Sequence, residues 1–145
     1  MVKGKNIFFI LLFMVLLILD QLTKYFAKKL TYSTPLIKNF FYLTFVKNTG
    51  IGFGLFQNTN PYLIWISIIA LGFIMFYYDK IPKKTFPKVM VLFIAAGILG
   101  NLIDRLAFGY VIDFIDFRIW PVFNIADSLI TIGIIGLIFY SFKKP

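Results

Sequence analysis

VMVLFIAAGILGNLIDRL, residues 89–106, is an apolar run that stays uncharged until its last turn, where Asn101, Asp104 and Arg105 appear. A membrane-crossing helix needs about 20 such residues, and this run reads as one with polar groups at a single end. Three other runs share its character. Ile7–Leu19 follows Lys3 and Lys5 and extends through Ala27 if the helix carries Asp20 and Lys24 inside it. Tyr62–Tyr78 is uncharged and begins directly after Pro61, a residue suited to a helix start. Asn124–Phe142 has Asp127 in its first turn. A removable signal peptide is the competing account of the first run, but no small-x-small cleavage site follows Leu19. The spacing predicts helices at about 6–28, 61–78, 88–106 and 124–142, forming an all-α membrane protein with four transmembrane helices in one integral-membrane domain, 1–145. The runs are too long and unbroken for barrel strands of alternating polarity.

Composition agrees. Of 145 residues, 60% are apolar and 14% charged, with mean hydropathy +0.87, whereas a soluble domain is about half apolar and a quarter charged. Lys and Arg outnumber Asp and Glu by 15 to 6. In so apolar a chain this excess fits charges flanking membrane helices, and no nucleic-acid partner is expected. There is no Cys and no His, which excludes thiol nucleophiles, Ser-His-Asp and Cys-His mechanisms, thiolate sites and imidazole-bound zinc. There is also no Glu. The acids are Asp20, Asp79, Asp104, Asp113, Asp116 and Asp127, and acid–base chemistry near neutral pH falls to them.

With four alternating spans, the N-terminus, the connection holding Lys80, Lys83, Lys84 and Lys88, and the C-terminus share one side. That side carries eight basic residues against seven on the other, a weak bias that the acids sharpen, since only Asp79 joins it. Both termini are therefore placed in the cytoplasm. The ends of the first and third helices and the start of the fourth then meet at the opposite boundary, gathering every acid except Asp79. Charged groups at or within a span are costly and tend to mark function.

The connection at about 31–58 is longer than a turn. FFYLTFV, residues 40–46, is rich in aromatic and β-branched residues, and Gly50, Gly52 and Gly54 follow. It reads as a small extracytoplasmic β-cradle between the first two helices, lying on the membrane surface with its aromatics at headgroup level.

Helical spacing sorts the polar residues. Asp20 and Lys24 are four apart; Asn101, Asp104 and Arg105 fall at i, i+3 and i+4; Asn124 and Asp127 are three apart. Asp20/Lys24 and Asp104/Arg105 read as ion pairs. Gly97 and Gly100 allow close helix approach. Asp113, between Ile112 and Phe114, and Asp127 have no such partner. Two carboxylates held close cannot both ionise easily, and one then keeps a proton while the other accepts one. Such a pair can activate water and protonate a leaving amine. Spacing alone does not separate it from a structural polar network, nor from a small four-helix transporter or proton channel, although the acids cluster at one boundary instead of lining a path across the bilayer.

DQLTK (20–24), NTGIGF (48–53), GILGNLIDR (97–105) with GYVIDF (109–114), and FNIADS (123–128) resemble, in order and spacing, the motifs of bacterial lipoprotein signal peptidase, or signal peptidase II, over nearly the whole chain. The resemblance implies an aspartic endopeptidase of the bacterial cytoplasmic (inner) membrane, with its active site at the extracytoplasmic boundary. It would hydrolyse the bond before the diacylglyceryl-modified cysteine of prolipoproteins and release the signal peptide. It implies Asp113 and Asp127 as the catalytic pair. Asp20, Lys24, Asn48, Gly50, Phe53, Asn101, Asp104, Arg105, Asn124 and Ala126 would bind substrate or support the site. Membrane lipids are the expected surroundings, no metal or cofactor is expected, and a complete pair in one chain makes a monomer sufficient. Ile51-Gly52 stands where the family often has two alanines, and Ala96-Gly97 where it often has paired glycines. Asp116 falls outside the matched motif and reads as a surface acid near Arg118.

Overall fold

A computed structural model of the protein describes residues 2–50 and 57–143. Ile51, Gly52, Phe53 and Gly54 lie outside the described residues. Helix α1 is Val2–Ala27, strand β1 Thr34–Ile37, strand β2 Phe41–Asn48, helix α2 Asn60–Phe76, helix α3 Thr85–Phe108, strand β3 Val111–Asp116 and helix α4 Ile125–Phe142. A 3-10 turn, Tyr78–Lys80, follows α2. Asn6–Ala27, α3 and α4 are each long and apolar enough to cross a bilayer, and α2 is a shorter apolar helix of 17 residues.

Local chemistry accounts for the helix ends. Pro61 opens α2, where its missing N–H breaks no helical bond. Pro87 sits in the first turn of α3 for the same reason. Gly109 ends α3 in the left-handed region at φ 80°, returning its N–H to the Arg105 carbonyl. Asn124 and Asp127 cap α4 reciprocally, the Asn124 side chain accepting from the Asp127 N–H and the Asp127 carboxylate from the Asn124 N–H.

The three strands form one antiparallel sheet in the order β1-β2-β3. This corrects the expected cradle. Strands β1 and β2 fall within 31–58, but the sheet is completed by β3, from the connection between α3 and α4. One face of it packs Ile112 and Phe114 against Ala27 at the end of α1, with Leu30, Phe45 and Ile125 around them.

Helix α3 packs against each of the other three helices, most extensively against α4. A Cβ on Gly97 would strike the Ala126 carbonyl of α4, and one on Gly100 would strike the Asp20 carboxylate of α1, so these two positions need glycine. The burial pattern is inverted relative to a soluble protein. Ile10, Leu11, Val15 and Ile18 of α1, and Ile135, Ile138 and Phe139 of α4, face outward, while Asp20, Lys24, Asn101, Asp104, Asp113 and Asn124 are buried. Lipid tails can cover the first set, and each of the second must find its partner inside the protein.

Candidate active site

Lys24, only 1% exposed, is surrounded by acceptors. Its ammonium lies 2.9 Å from Asp20 Oδ2 and 3.0 Å from Asp104 Oδ2, and donates to Asn101 Oδ1 at 3.0 Å. A lysine has three donors, and all three are used. The two carboxylates are tied down as well. Asp20 Oδ1 accepts from the Ala126 N–H at 2.8 Å, and Asp104 Oδ2 from the Ile112 N–H at 3.1 Å. Gln21 donates to both carboxylates and to the Gly100 carbonyl. This cluster joins α1 to α3, to the first turn of α4 and to β3.

Here a sequence expectation is corrected. Asp104 pairs with Lys24 and not with Arg105. Adjacent helical residues point about 100° apart, so when Asp104 turns to α1, Arg105 turns toward α2 and the cavity beside it. Among the described residues Arg105 makes no ion pair, and its buried Nε has no hydrogen-bond partner.

Asn101 and Asn124 carry the cluster toward the two remaining acids. Asn101 donates to Asp127 Oδ1 at 2.8 Å. Asn124 donates to Asn101 Oδ1 at 3.1 Å and to Asp113 Oδ1 at 2.7 Å. Asn48, from β2, donates to Asp113 Oδ2 at 2.9 Å, and its own carbonyl accepts from the Gly50 N–H at 3.0 Å. Every carboxylate oxygen of the pair thus accepts at least one N–H, the Asn124 N–H occupying Asp127 Oδ2 at 3.2 Å. Asp113 and Asp127 both line a cavity of about 420 Å³, walled by Asn48, Asn101, Arg105, Leu63, Trp120 and Phe123 among others.

Asp113 stands on β3, outside the helices. Its burial, and then the neighbouring Asp127 carboxylate, push its carboxyl up to about 7, against the opposing hydrogen bonds from Asn48 and Asn124 and the charge of Lys24. The folded state holds this proton more tightly than the unfolded chain, so Asp113 weighs against folding progressively as pH rises from about 3.8 to about 7.

Of the residues singled out from sequence, Asp20, Lys24, Asn48, Gly50, Asn101, Asp104, Asn124 and Ala126 form one bonded network with Asp113 and Asp127. Arg105 joins them through the cavity wall, and Phe53 lies outside the described residues. Asp116 is near Arg118 as expected, at 3.6 Å, but it is buried and not a surface acid. Gln21 was missed as a site residue, although it stands within the first motif; an amide beside a buried carboxylate is the signal that finds it. The cavity walls Trp120 and Phe123 carry no periodic signal in the sequence.

A family model described as signal peptidase (SPase) II matches residues 12–143. The chain is 40% identical over 134 residues to a lipoprotein signal peptidase of Halothermothrix orenii, covering 90% of this chain and 92% of that protein. It is 44% identical over 123 residues to the lipoprotein signal peptidase of Caldanaerobacter subterraneus subsp. tengcongensis, covering 82% and 85%. A solved bacterial membrane enzyme superposes with a TM-score of 0.87 at 36% identity, over 93% of this chain and 87% of that one.

Proposed function

The chain belongs to the signal peptidase II family, and from that premise we propose that it is an aspartic endopeptidase acting on diacylglyceryl-modified prolipoproteins, with Asp113 and Asp127 as the pair that activates water. The observation that carries this reading is the shared cavity. Two carboxylates, the buried Asp113 and the half-buried Asp127, fourteen positions apart in sequence, line one space, and each is bridged to the other through Asn124 and Asn101.

In the proposed reaction the pair holds one proton between its two members and titrates as a unit. The ionised carboxylate takes a proton from water as the water oxygen bonds to the scissile carbonyl carbon. The protonated carboxyl gives its proton to the carbonyl oxygen, yielding a gem-diol. The carboxyl that took the water's proton then gives it to the nitrogen of the modified cysteine, and as the C–N bond breaks a gem-diol hydroxyl returns its proton to the other carboxylate, restoring the singly protonated pair. Arg105, on the cavity wall, balances the pair's single negative charge. The side-chain amides of Asn48, Asn101 and Asn124 hold the carboxylates in position, so little reorganisation is needed as charge moves.

Helix α2 completes a four-span bundle in this reading. Its 17 residues and uncharged face support a fourth crossing, slightly short of the about 20 residues a typical bilayer takes. Both termini then lie in the cytoplasm with the lysines of the connection between α2 and α3, and the site opens at the outer boundary, where a lipid-anchored cysteine would stand. One chain supplies the whole pair, so a monomer suffices.

Purified protein should release the signal peptide from a diacylated prolipoprotein and leave the unmodified precursor intact. No cleavage of the diacylated form under any detergent or lipid condition that keeps the protein folded would sink the reading. The pH profile is a second check. Above about 7 the pair loses its shared proton, so kcat is expected to fall by about tenfold per pH unit on the alkaline side.

A further inference from the structure

Asp116 is buried at 6% exposure, three residues beyond Asp113 on β3, and is no part of the cavity wall. It lies in a closed ring of polar contacts. Thr44 donates to Asp116 Oδ2 at 2.9 Å, and Ser33 lies 2.7 Å from the same hydroxyl. Because the Thr44 proton is committed to Asp116, Ser33 is the donor in that pair. Arg118 donates to Ser33 at 2.8 Å and returns its backbone N–H to Asp116 Oδ1 at 2.8 Å, while its guanidinium covers the Tyr42 ring at 3.7 Å. Arg118 takes a left-handed φ of 65° to do this.

The ring closes around an irregularity in the sheet. Leu43 is opposite Ile115, but Val46 is opposite Asp113 and Asn48 opposite Val111. Three steps along β2 thus match two along β3, which is a bulge of one extra residue at Thr44–Phe45. Residues directly opposite share a face of the sheet, so Asn48 shares the face of Asp113 and reaches it. Had the Tyr42–Leu43 register continued, Phe45 would face Asp113 and Lys47 would face Val111. A shift of one residue turns every later side chain to the other face, removing the Asn48 amide from the cavity and bringing a lysine toward it. Lys47 now lies instead over the Tyr110 ring at 5.2 Å.

We propose that Asp116 is a positioning residue: with Thr44, Ser33 and Arg118 it holds the bulge that turns Asn48, and not Lys47, toward Asp113. The role rests on Asp113 being a member of the catalytic pair.

The test compares Asp116→Asn and Thr44→Val in the parent and in an Asn48→Ala background, measuring kcat, KM and the pH profile on a diacylated prolipoprotein. Asp113 also faces Asp127 from α4, Lys24 from α1 and Arg105 from α3; none of these is altered, so a shifted profile reports Asn48. Losing the Asn48 donor disfavours the ionised form of Asp113. Each single variant should therefore lower kcat by about tenfold to a hundredfold with KM little changed, and move the alkaline limb up by about half a unit. In the Asn48→Ala background, Asp116→Asn should move the limb no further. An unmoved limb in both single variants, or shifts that add to that of Asn48→Ala, would overturn the role, leaving Asp116 a stabilising contact only. If Asp116→Asn does not fold, Thr44→Val decides alone, since it removes one hydroxyl and keeps a β-branched strand residue. Full cleavage by Asp113→Asn would be a different failure, removing the premise and this role with it.

Discussion

Asp113→Asn and Asp127→Asn are each expected to cut cleavage of a diacylated prolipoprotein by about a thousandfold or more, with the protein still folded. The substitution preserves shape but removes the proton acceptor or donor that one half of the proposed pair would supply. It also limits the structural cost. The amide offers one acceptor oxygen where the carboxylate offered two, so at Asp113 either Asn48 or Asn124 loses an acceptor, while a buried acid that weighs against folding near neutral pH is removed at the same time. The two effects oppose, and the unfolding midpoint should move by only a few degrees. Because the proposed pair would act as a unit, the double variant should be no slower than the worse single one. Either single variant retaining full activity would remove that residue from the pair.

Lys24→Met is expected to give the largest loss of stability, about 3–5 kcal/mol in thermal or denaturant unfolding of the detergent-solubilised protein. Methionine fills much of the volume, so the cost is electrostatic. Asp20 and Asp104, both fully buried, lose the cation that faces them at 2.9 and 3.0 Å, and Asn101 loses the donor that fixes its carbonyl. Lys24→Arg should not rescue, because three acceptors converge on a single nitrogen and a planar fork cannot serve them all. Combining Lys24→Met with Asp20→Asn and Asp104→Asn should recover part of the loss by leaving no charge unpaired. A Lys24→Met protein as stable as its parent would show that the cluster is not what joins α1 to α3.

The helices were legible because a long apolar run has few other uses, and Pro61 marks the start of the second by local chemistry alone; the Gly109 end of α3 and the Asn124/Asp127 cap of α4 emerge only in the structure. Strand β2 was legible from its aromatic and β-branched content. Strand β3 was not. VIDFID has no clean alternation, its partner lies more than sixty residues earlier, and pairing at that distance leaves no periodic trace. The same limit governs the ion pairs. Asp20 and Lys24 were legible as a pair because one helix face carries both. Proximity in sequence points Asp104 to Arg105, and proximity in space gives it to Lys24. Asp116 read as a surface acid because burial is a property of the assembled sheet.

The amino-acid order by itself determined a membrane chain, the end of the bundle where its acids collect, and the absence of any imidazole, thiol or glutamate that would compete with aspartate for the chemistry. Those follow from composition and from distances of one helical turn, over which the backbone geometry is known in advance. The partners of each buried charge, the bulge that aims Asn48 and the cavity shared by Asp113 and Asp127 were decided only when helices and strands packed together. Contacts between residues far apart in the chain depend on how side chains from several elements fill one space, and no single segment encodes that.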